Sequence, residues 1–358
     1  MTKTLIVHIG TGKTGSTAIQ KHLSKIKNNL VKDDIHYFGL NLEHIPLKAA
    51  FPWQQPGGIG ILQRMPTEKA RAELEQVLTE KLAQLGQSST AVWSNESIYE
   101  RPELYIPLLQ GLESKGMSRV RVIAYARNMQ AYILAAYKQW GIRHKTNKGP
   151  IMGFSEWVRT RKSFLEYGKK MSIWLTAFGD FFSLYNYDCI DDVVEHFLVH
   201  IPGSKPHLPG PRKQRENVSP TEASLALYAL YNNQFIEPAL PDAVSALLSK
   251  YELENSRLQA LSLSGLYPSP EEVSQIVRIF SEDMNLVNEI LDSKGQPMLQ
   301  DPTASLAVSS PSELDVLKTI ASILLELTIK IDKQVQVLAD RVVLLERANQ
   351  RRNHDHEK

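Results

Sequence analysis

The chain has 358 residues, of which 42% are hydrophobic and 22% charged, a balance that excludes a disordered or collagen-like polypeptide. Lys and Arg number 41 against 39 Asp and Glu, so the formal net charge is +2. That argues against bulk nucleic-acid binding but leaves room for a local basic groove. Cys189 stands alone, which excludes an internal disulfide framework and a cysteine-based metal cluster. It reads as a half-buried strand residue.

In chain order, residues 5–9 form a short apolar run that Gly10-Thr11-Gly12-Lys13-Thr14-Gly15 interrupts. A helix is predicted over 16–30, with Ile19 and Leu23 on one face. A charged amphipathic helix follows over 67–85. Residues 90–94 and 119–126 read as buried strands, and 129–144 as a helix. Residues 154–178 are mostly helical in pattern, and 181–187 is an aromatic-rich strand. Strands alternating with helices give an α/β fold, with a central parallel sheet flanked by helices.

Beyond it, 201–220 is rich in Pro, Gly and basic residues and reads as a surface loop. Helical pattern resumes over 221–235 and 240–290. The predicted layout is an α/β domain over 1–236, a helical extension over 237–294, a linker over 295–311, an amphipathic helix over 312–350 and a frayed tail over 351–358. In that last helix Leu317, Ile320, Leu324, Leu327, Ile331, Leu338 and Leu345 keep heptad spacing. Gln334 and Arg341 take the remaining inner positions, with Val335 and Val342 beside them. The pattern fits an oligomer-forming coiled coil or a helix docked on its own body. No signal-peptide pattern opens the sequence and no run reaches the roughly 18 apolar residues of a spanning helix, so the expected location is the cytoplasm, with no transmembrane segment.

A strand that turns through glycines into a helix leaves backbone N–H groups aimed at one spot, with the positive end of the helix dipole behind them. Lys13 adds a mobile charge there, and Thr14, Ser16 and Thr17 add hydroxyls. The nucleotide loop G-x-x-x-x-G-K-[ST] does not fit, because its first glycine would fall at Val7, inside the strand. The run His8-Ile9-Gly10-Thr11-Gly12-Lys13-Thr14-Gly15-Ser16-Thr17, followed by Ala18-Ile19-Gln20, resembles the 5′-phosphosulfate loop of sulfotransferases, bacterial ones in particular. Those enzymes use 3′-phosphoadenosine 5′-phosphosulfate (PAPS) and share a P-loop-like three-layer α/β fold. The resemblance implies that Lys13 binds the donor at the oxygen of the breaking S–O bond, and that Gly12, Thr14, Gly15, Ser16 and Thr17 complete the 5′-phosphate cradle.

A second stretch carries the likeness further. Arg121-Val122-Ile123-Ala124-Tyr125-Ala126-Arg127 ends a strand on an arginine, and Tyr137 lies on the following helix. In the family, an arginine, a serine eight residues later and a tyrosine two beyond it form the 3′-phosphate site. Arg127 and Tyr137 match, but the serine position is Ala135. Losing one neutral hydroxyl donor costs about 0.5–1.5 kcal/mol. Two later stretches, 167–187 and Arg215-Glu216-Asn217-Val218-Ser219, are similar to the family's late helix–strand unit and closing segment, so the resemblance covers roughly residues 4–235.

Transfer to a hydroxyl or amine also needs a general base. Glu96 follows the strand 90–94, and the resemblance favours it. His44, after the second strand, is the rival, while His8 reads as a hydrogen-bonding residue near the loop and His36 as a strand-edge residue. Arg212, Lys213 and Arg215 form a basic cluster suited to the donor's 3′-phosphate or an anionic acceptor, and the resemblance makes Arg215 a donor-binding residue. The loop 52–63, with Trp53 and Gln54, is a candidate wall for the acceptor, which the sequence does not name beyond a glycan, lipid or small metabolite. No metal is implied. Two other classes remain as alternatives: a P-loop-like kinase, and a non-catalytic nucleotide-binding or coiled-coil assembly protein.

Overall fold

The computed structural model describes residues 3–45, 51–55, 58–204, 235–239 and 268–300, together with 331–343 and separate positions within 225–233 and 317–330. The chain divides into two compact units, Met1–Ala136 with Val158–Asn217 and Val273–Ser305, and Tyr137–Trp157 with Val218–Glu272 and Leu306–Lys358.

The first unit holds an all-parallel sheet of five strands in the order β2-β3-β1-β4-β5. They are β1 (Thr4–His8), β2 (Ile35–Tyr37), β3 (Thr90–Ser94), β4 (Arg119–Ala126) and β5 (Phe182–Asn186). The expected α/β class is therefore observed, with helices on both faces. Helix α1 (Ser16–Leu30) joins β1 to β2 and packs with α9 (Val193–Val199) on one face. The connections running the other way carry α3 (Thr67–Gln84), α4 (Pro102–Ser114) and α8 (Gly168–Phe178), which pack on each other. Right-handed crossovers place those helices on the opposite face.

Alternation along the strands divides the core. Ile6, Val92, Ile123 and Tyr125 pack with Ile19 and Leu23 of α1 and Val194 and Phe197 of α9. Burying an aliphatic side chain of this size is worth about 1.5–3 kcal/mol, and Leu23→Ala would cost about 2–5 kcal/mol through the cavity it leaves. The intervening Leu5, Val7, Trp93 and Val122 are equally buried.

Several elements differ from expectation. The helix expected over 129–144 is α5 (Met129–Ala136) followed by a π-helical turn, Tyr137–Arg143. Gly141 permits that turn, because a Cβ there would meet the Tyr137 ring. Cys189 is not a strand residue: it sits exposed in the 3₁₀ turn Tyr187–Cys189 after β5. Residues 154–178 form α6 (Phe154–Thr160), α7 (Lys162–Leu165) and α8. The short α2 (Ile59–Arg64) takes up the end of the loop 52–63.

Helices α10 (Pro270–Arg278) and α11 (Ser281–Ser293) follow, and α11 packs on α8. The buried Asp283 carboxylate of α11 accepts from the backbone N–H groups of Tyr167 (2.9 Å), Gly168 (2.8 Å) and Lys169 (3.0 Å), capping α8 from outside its own segment. Burial still pushes its pKa up despite those three donors. Gly168 is required here, since a Cβ would collide with the Asp283 carbonyl.

In the second unit Lys145 is buried, donating to the carbonyls of Gly149 (2.6 Å) and Phe235. Asn232 donates to those of Ile142 (2.7 Å) and Arg143 (2.9 Å). The described positions of 225–232 and 317–343 are helical. Residues 205–224, 240–267 and 344–358 lie outside the described residues, and with them most of the expected surface loop and the basic cluster Arg212, Lys213 and Arg215.

Candidate functional site

After β1 the chain turns toward the face of α1, while after β4 it turns toward the other, so a crevice opens beyond the carboxyl ends of these adjacent strands. Such a switch point is where open α/β sheets hold ligands. The glycine loop and Arg127 both lie there.

The loop is held in a special backbone shape. Gly12 (φ 39°), Lys13 (φ 61°) and Gly15 (φ 80°) all occupy left-handed conformations. Turns of this kind gather successive N–H groups around a concavity that suits an anion. Gly15 must also be small: a Cβ would lie 2.6 Å from Val193 Cγ1. Its carbonyl accepts from Ala18 and Ile19, which starts α1. The N-terminus of α1 has no side-chain cap and no acidic residue in its first turn, so the positive end of a 15-residue helix is left uncompensated.

Three buried polar atoms surround this turn: Thr14 Oγ1, Ser16 Oγ and His8 Nε2 have no hydrogen-bond partner among the described residues. Gly10 separates two of them, since a Cβ there would stand 2.6 Å from Ser16 Oγ and 3.1 Å from His8 Nε2. Orphaned buried polar atoms are rare in folded proteins and call for an explanation such as a bound ligand. His8 is set by strand register, being the β1 partner of Ser94 in β3, and its Nδ1 and the Ser94 hydroxyl are hydrogen-bonded at 2.7 Å. Burial lowers its pKa to about 3, so the ring is neutral. Thr11 is fixed by donation to the Tyr125 carbonyl at 3.0 Å, and Thr17 is exposed.

Arg127 joins the loop from β4: its Nη1 donates to the Lys13 carbonyl at 3.2 Å. Its Nε faces Asp188 Oδ1 at 3.7 Å, its guanidinium lies over the Tyr187 ring, and its carbonyl accepts from the Tyr167 hydroxyl. Asp188 also accepts from Asn128 N–H at 2.6 Å. An anion reaching Arg127 therefore competes with Asp188. Tyr137 lies in the second unit, where its hydroxyl donates to the Met152 carbonyl at 2.8 Å.

No protein-family model, curated protein or solved structure matches the chain.

The two candidate bases separate along α1. Glu96, at the start of the 3₁₀ turn Glu96–Ile98 after β3, accepts from Gln20 Nε2 at 2.6 Å, and the same amide reaches the Ser94 carbonyl at 3.3 Å. Gln20 lies four residues beyond Ser16, about one helical turn from the loop. His44 instead contacts Ser24 and Lys27, each at 3.4 Å, about 6–11 Å beyond Gln20 along the helix at 1.5 Å per residue. Burial first, and then Lys27, lower its pKa against the pull of Glu43. The structure thus ties Glu96 to the first turns of α1 and His44 to its second half.

Trp53 and Gln54 are not pocket walls. Both are buried, with Trp53 Nε1 donating to Glu73 at 2.8 Å and Gln54 bonded to Leu42 and Phe51. His36 pairs with Asp34 at 3.2 Å on β2. Among the described residues no cluster of three or more His, Cys, Asp or Glu could hold a metal, and no helix is long and apolar enough to cross a membrane. The sequence reading missed Gln20, Asp188 and the His8–Ser94 pair. Only Gln20 left a signal, its i+4 spacing from Ser16.

Proposed function

We propose that this chain is a sulfotransferase that moves a sulfuryl group from PAPS to a hydroxyl or amine acceptor. The observation that carries the reading is the uncapped start of α1, where Thr14 Oγ1, Ser16 Oγ and His8 Nε2 are buried without partners around a left-handed glycine turn. The two hydroxyls and the loop N–H groups can donate to a tetrahedral oxyanion, and His8 Nε2 joins them in the tautomer whose Nδ1 accepts from the Ser94 hydroxyl. The donor would supply the activated sulfuryl group. The loop N–H groups and the hydroxyls of Thr14 and Ser16 hold the 5′-phosphate end, and Lys13 neutralises charge on the oxygen that leaves as the S–O bond breaks. Glu96, steadied by Gln20, takes the acceptor's proton as the new S–O or S–N bond forms.

Arg127 is the family's arginine for the 3′-phosphate, and here that phosphate would have to displace Asp188. Arg215, the other donor-binding candidate, lies outside the described residues. A forked arginine still favours a phosphate dianion over a single carboxylate at 3.7 Å. The shape of the loop speaks against an ATP-dependent kinase, since Val7 is a buried β1 residue where a nucleotide loop would begin.

Calorimetric titration with adenosine 3′,5′-bisphosphate and, separately, with ATP tests the donor. Saturable binding of the bisphosphate supports the reading, and saturation by ATP alone overturns it. Transfer of labelled sulfate to a panel of alcohols and amines then separates an enzyme from a non-catalytic binder.

A further inference from the structure

From Arg159 to Lys170 five basic residues, Arg159, Arg161, Lys162, Lys169 and Lys170, stand against one acidic residue, Glu166. The whole chain has a formal net charge of only +2. The segment lies in the first unit and covers the end of α6, all of α7 and the first turn of α8. Its charges are layered. Glu166 pairs with Lys162 at 3.5 Å and Lys169 at 3.4 Å, yet its side chain is 15% exposed where theirs are 48 and 61%. The carboxylate is therefore the inner layer and the ammonium groups the outer one. Lys170 belongs to the inner layer too, paired with Glu100 at 2.5 Å. Its Nζ lies 4.9 Å from the centre of the Tyr99 ring and 5.9 Å from that of Phe164. Phe164 is 38% exposed, and Arg159 is exposed as well. The outward side of the segment is a positive ridge with one apolar ring in it. Exposed ion pairs hold their partners weakly, so the outer lysines can exchange Glu166 for another anion.

The ridge stands at the candidate site. Strand β5 is parallel to its neighbours, so α8, which precedes it, begins at the carboxyl ends of the sheet, where the glycine loop also lies. Two contacts fix it there. The Tyr167 hydroxyl donates to the Arg127 carbonyl, and Lys170 reaches Glu100, four residues beyond Glu96 in the chain.

We propose that this ridge receives the acceptor, and that the acceptor is an acidic oligosaccharide whose carboxylates meet Arg159, Lys162 and Lys169. The inference rests on the sulfotransferase reading for the ligand's role, and on the ridge alone for the ligand's charge. Carboxylates are the charges a glycan carries before any sulfate is added. A sugar chain also brings hydroxyls for Glu96 to deprotonate and apolar C–H faces that pack on a ring such as Phe164. A nucleic acid would call for a more basic chain than one of net charge +2.

Titration of a fluorescein-labelled hyaluronan oligosaccharide with the full chain, read by anisotropy, tests the proposal. Saturable binding that weakens with added salt is expected, and a neutral maltodextrin of the same length should bind at least about tenfold more weakly. Arg159→Gln, Lys162→Gln and Lys169→Gln combined should weaken hyaluronan binding about tenfold, the usual worth of three exposed charge contacts. Lys25→Gln, Lys32→Gln and Lys69→Gln combined remove the same charge from elsewhere on the first unit and should leave binding unchanged. All six side chains are exposed, so both variants should keep the wild-type unfolding midpoint. Calorimetry with adenosine 3′,5′-bisphosphate reports on the glycine loop, so its failure strikes the donor reading and leaves the hyaluronan titration to judge the ridge. Where the bisphosphate binds, labelled sulfate should pass to uronic-acid chains ahead of neutral ones. No binding of hyaluronan, equal binding of the neutral sugar, tighter binding of a single-stranded oligonucleotide, equal weakening in both triple variants, or sulfate passing first to neutral chains would each overturn the proposal.

Discussion

At the scale of single residues, the loop makes demands that can be separated by substitution. Gly12 and Gly15 both have positive φ, but a Cβ at Gly12 meets nothing within 4 Å, whereas at Gly15 it strikes Val193. Gly15→Ala should therefore destabilise the chain by about 1–3 kcal/mol, through strain plus overpacking, and Gly12→Ala by clearly less. Urea unfolding of the two variants checks the order. Lys13 contributes charge rather than packing. Lys13→Ala should leave the unfolding midpoint near wild type and lower sulfate transfer by roughly two to three orders of magnitude, the usual loss of one transition-state donor. Near-normal turnover would sink the proposed role. His8 makes a prediction about pH. An unfolded imidazole titrates near ~6.5, while in the fold burial holds His8 at about 3. Between those values the unfolded chain binds the extra proton, so His8's contribution is complete above ~6.5 and declines as pH falls toward about 3, by up to about 1.4 kcal/mol per pH unit. The slope of stability between pH 4 and 6 should be shallower in His8→Gln. His196, lowered to about 4 by burial and His200, remains in both proteins and cancels in the comparison.

At the scale of elements, the site is a matter of which helix and strand ends are tied together. Gln20 ties the turn after β3 to the first turns of α1, so Glu96 cannot drift from the loop without breaking a 2.6 Å hydrogen bond. Glu96→Gln should lower kcat by about 10²–10⁴-fold, the range for removing a general base, with bisphosphate binding unchanged by calorimetry. Gln20→Leu leaves the carboxylate in place but unsteadied, so kcat should fall by up to about 10²-fold, the cost of misplacement. Equal losses in kcat and in donor affinity would instead mean that Gln20 only supports the loop. The runs β1, β3, β4 and β5 were legible because each is apolar and bounded by glycine or polar residues. Others were not. β2 spans only Ile35–Tyr37, too short for a pattern, and left a trace only in the placing of His36 and His44. α4 carries Pro107 in its interior, the residue that argues most strongly against a helix, and its apolar face at Leu104, Leu108 and Leu112 overrides it. The break of α5 at Ala136 gave no signal except Gly141.

At the scale of the whole molecule, the loop was readable because its chemistry lies in consecutive residues. The rest of the site depends on strand order and register, which local sequence does not encode. His8 meets Ser94 across 86 positions because β1 and β3 are neighbours in register, and Arg127 meets Lys13 across 114 because β4 lies on the other side of β1. Asp188 arrives at Arg127 from the end of β5 for the same reason. A site assembled from four strand ends and one helix start has a thermodynamic consequence. A ligand that satisfies Thr14, Ser16 and His8 binds only the folded unit, because residues 8–16 keep that shape only while His8 is bonded to Ser94, Thr11 to the Tyr125 carbonyl and Gly15 packed on Val193. At 100 times its dissociation constant, adenosine 3′,5′-bisphosphate should raise the unfolding free energy by about 2.7 kcal/mol. In Lys13→Ala the increment at the same concentration should shrink, and in Gly15→Ala it should vanish together with the shape of the loop. Chemical unfolding with and without the bisphosphate measures both. An increment that persists in full in Gly15→Ala would place the nucleotide elsewhere on the protein and remove the loop from the proposed function.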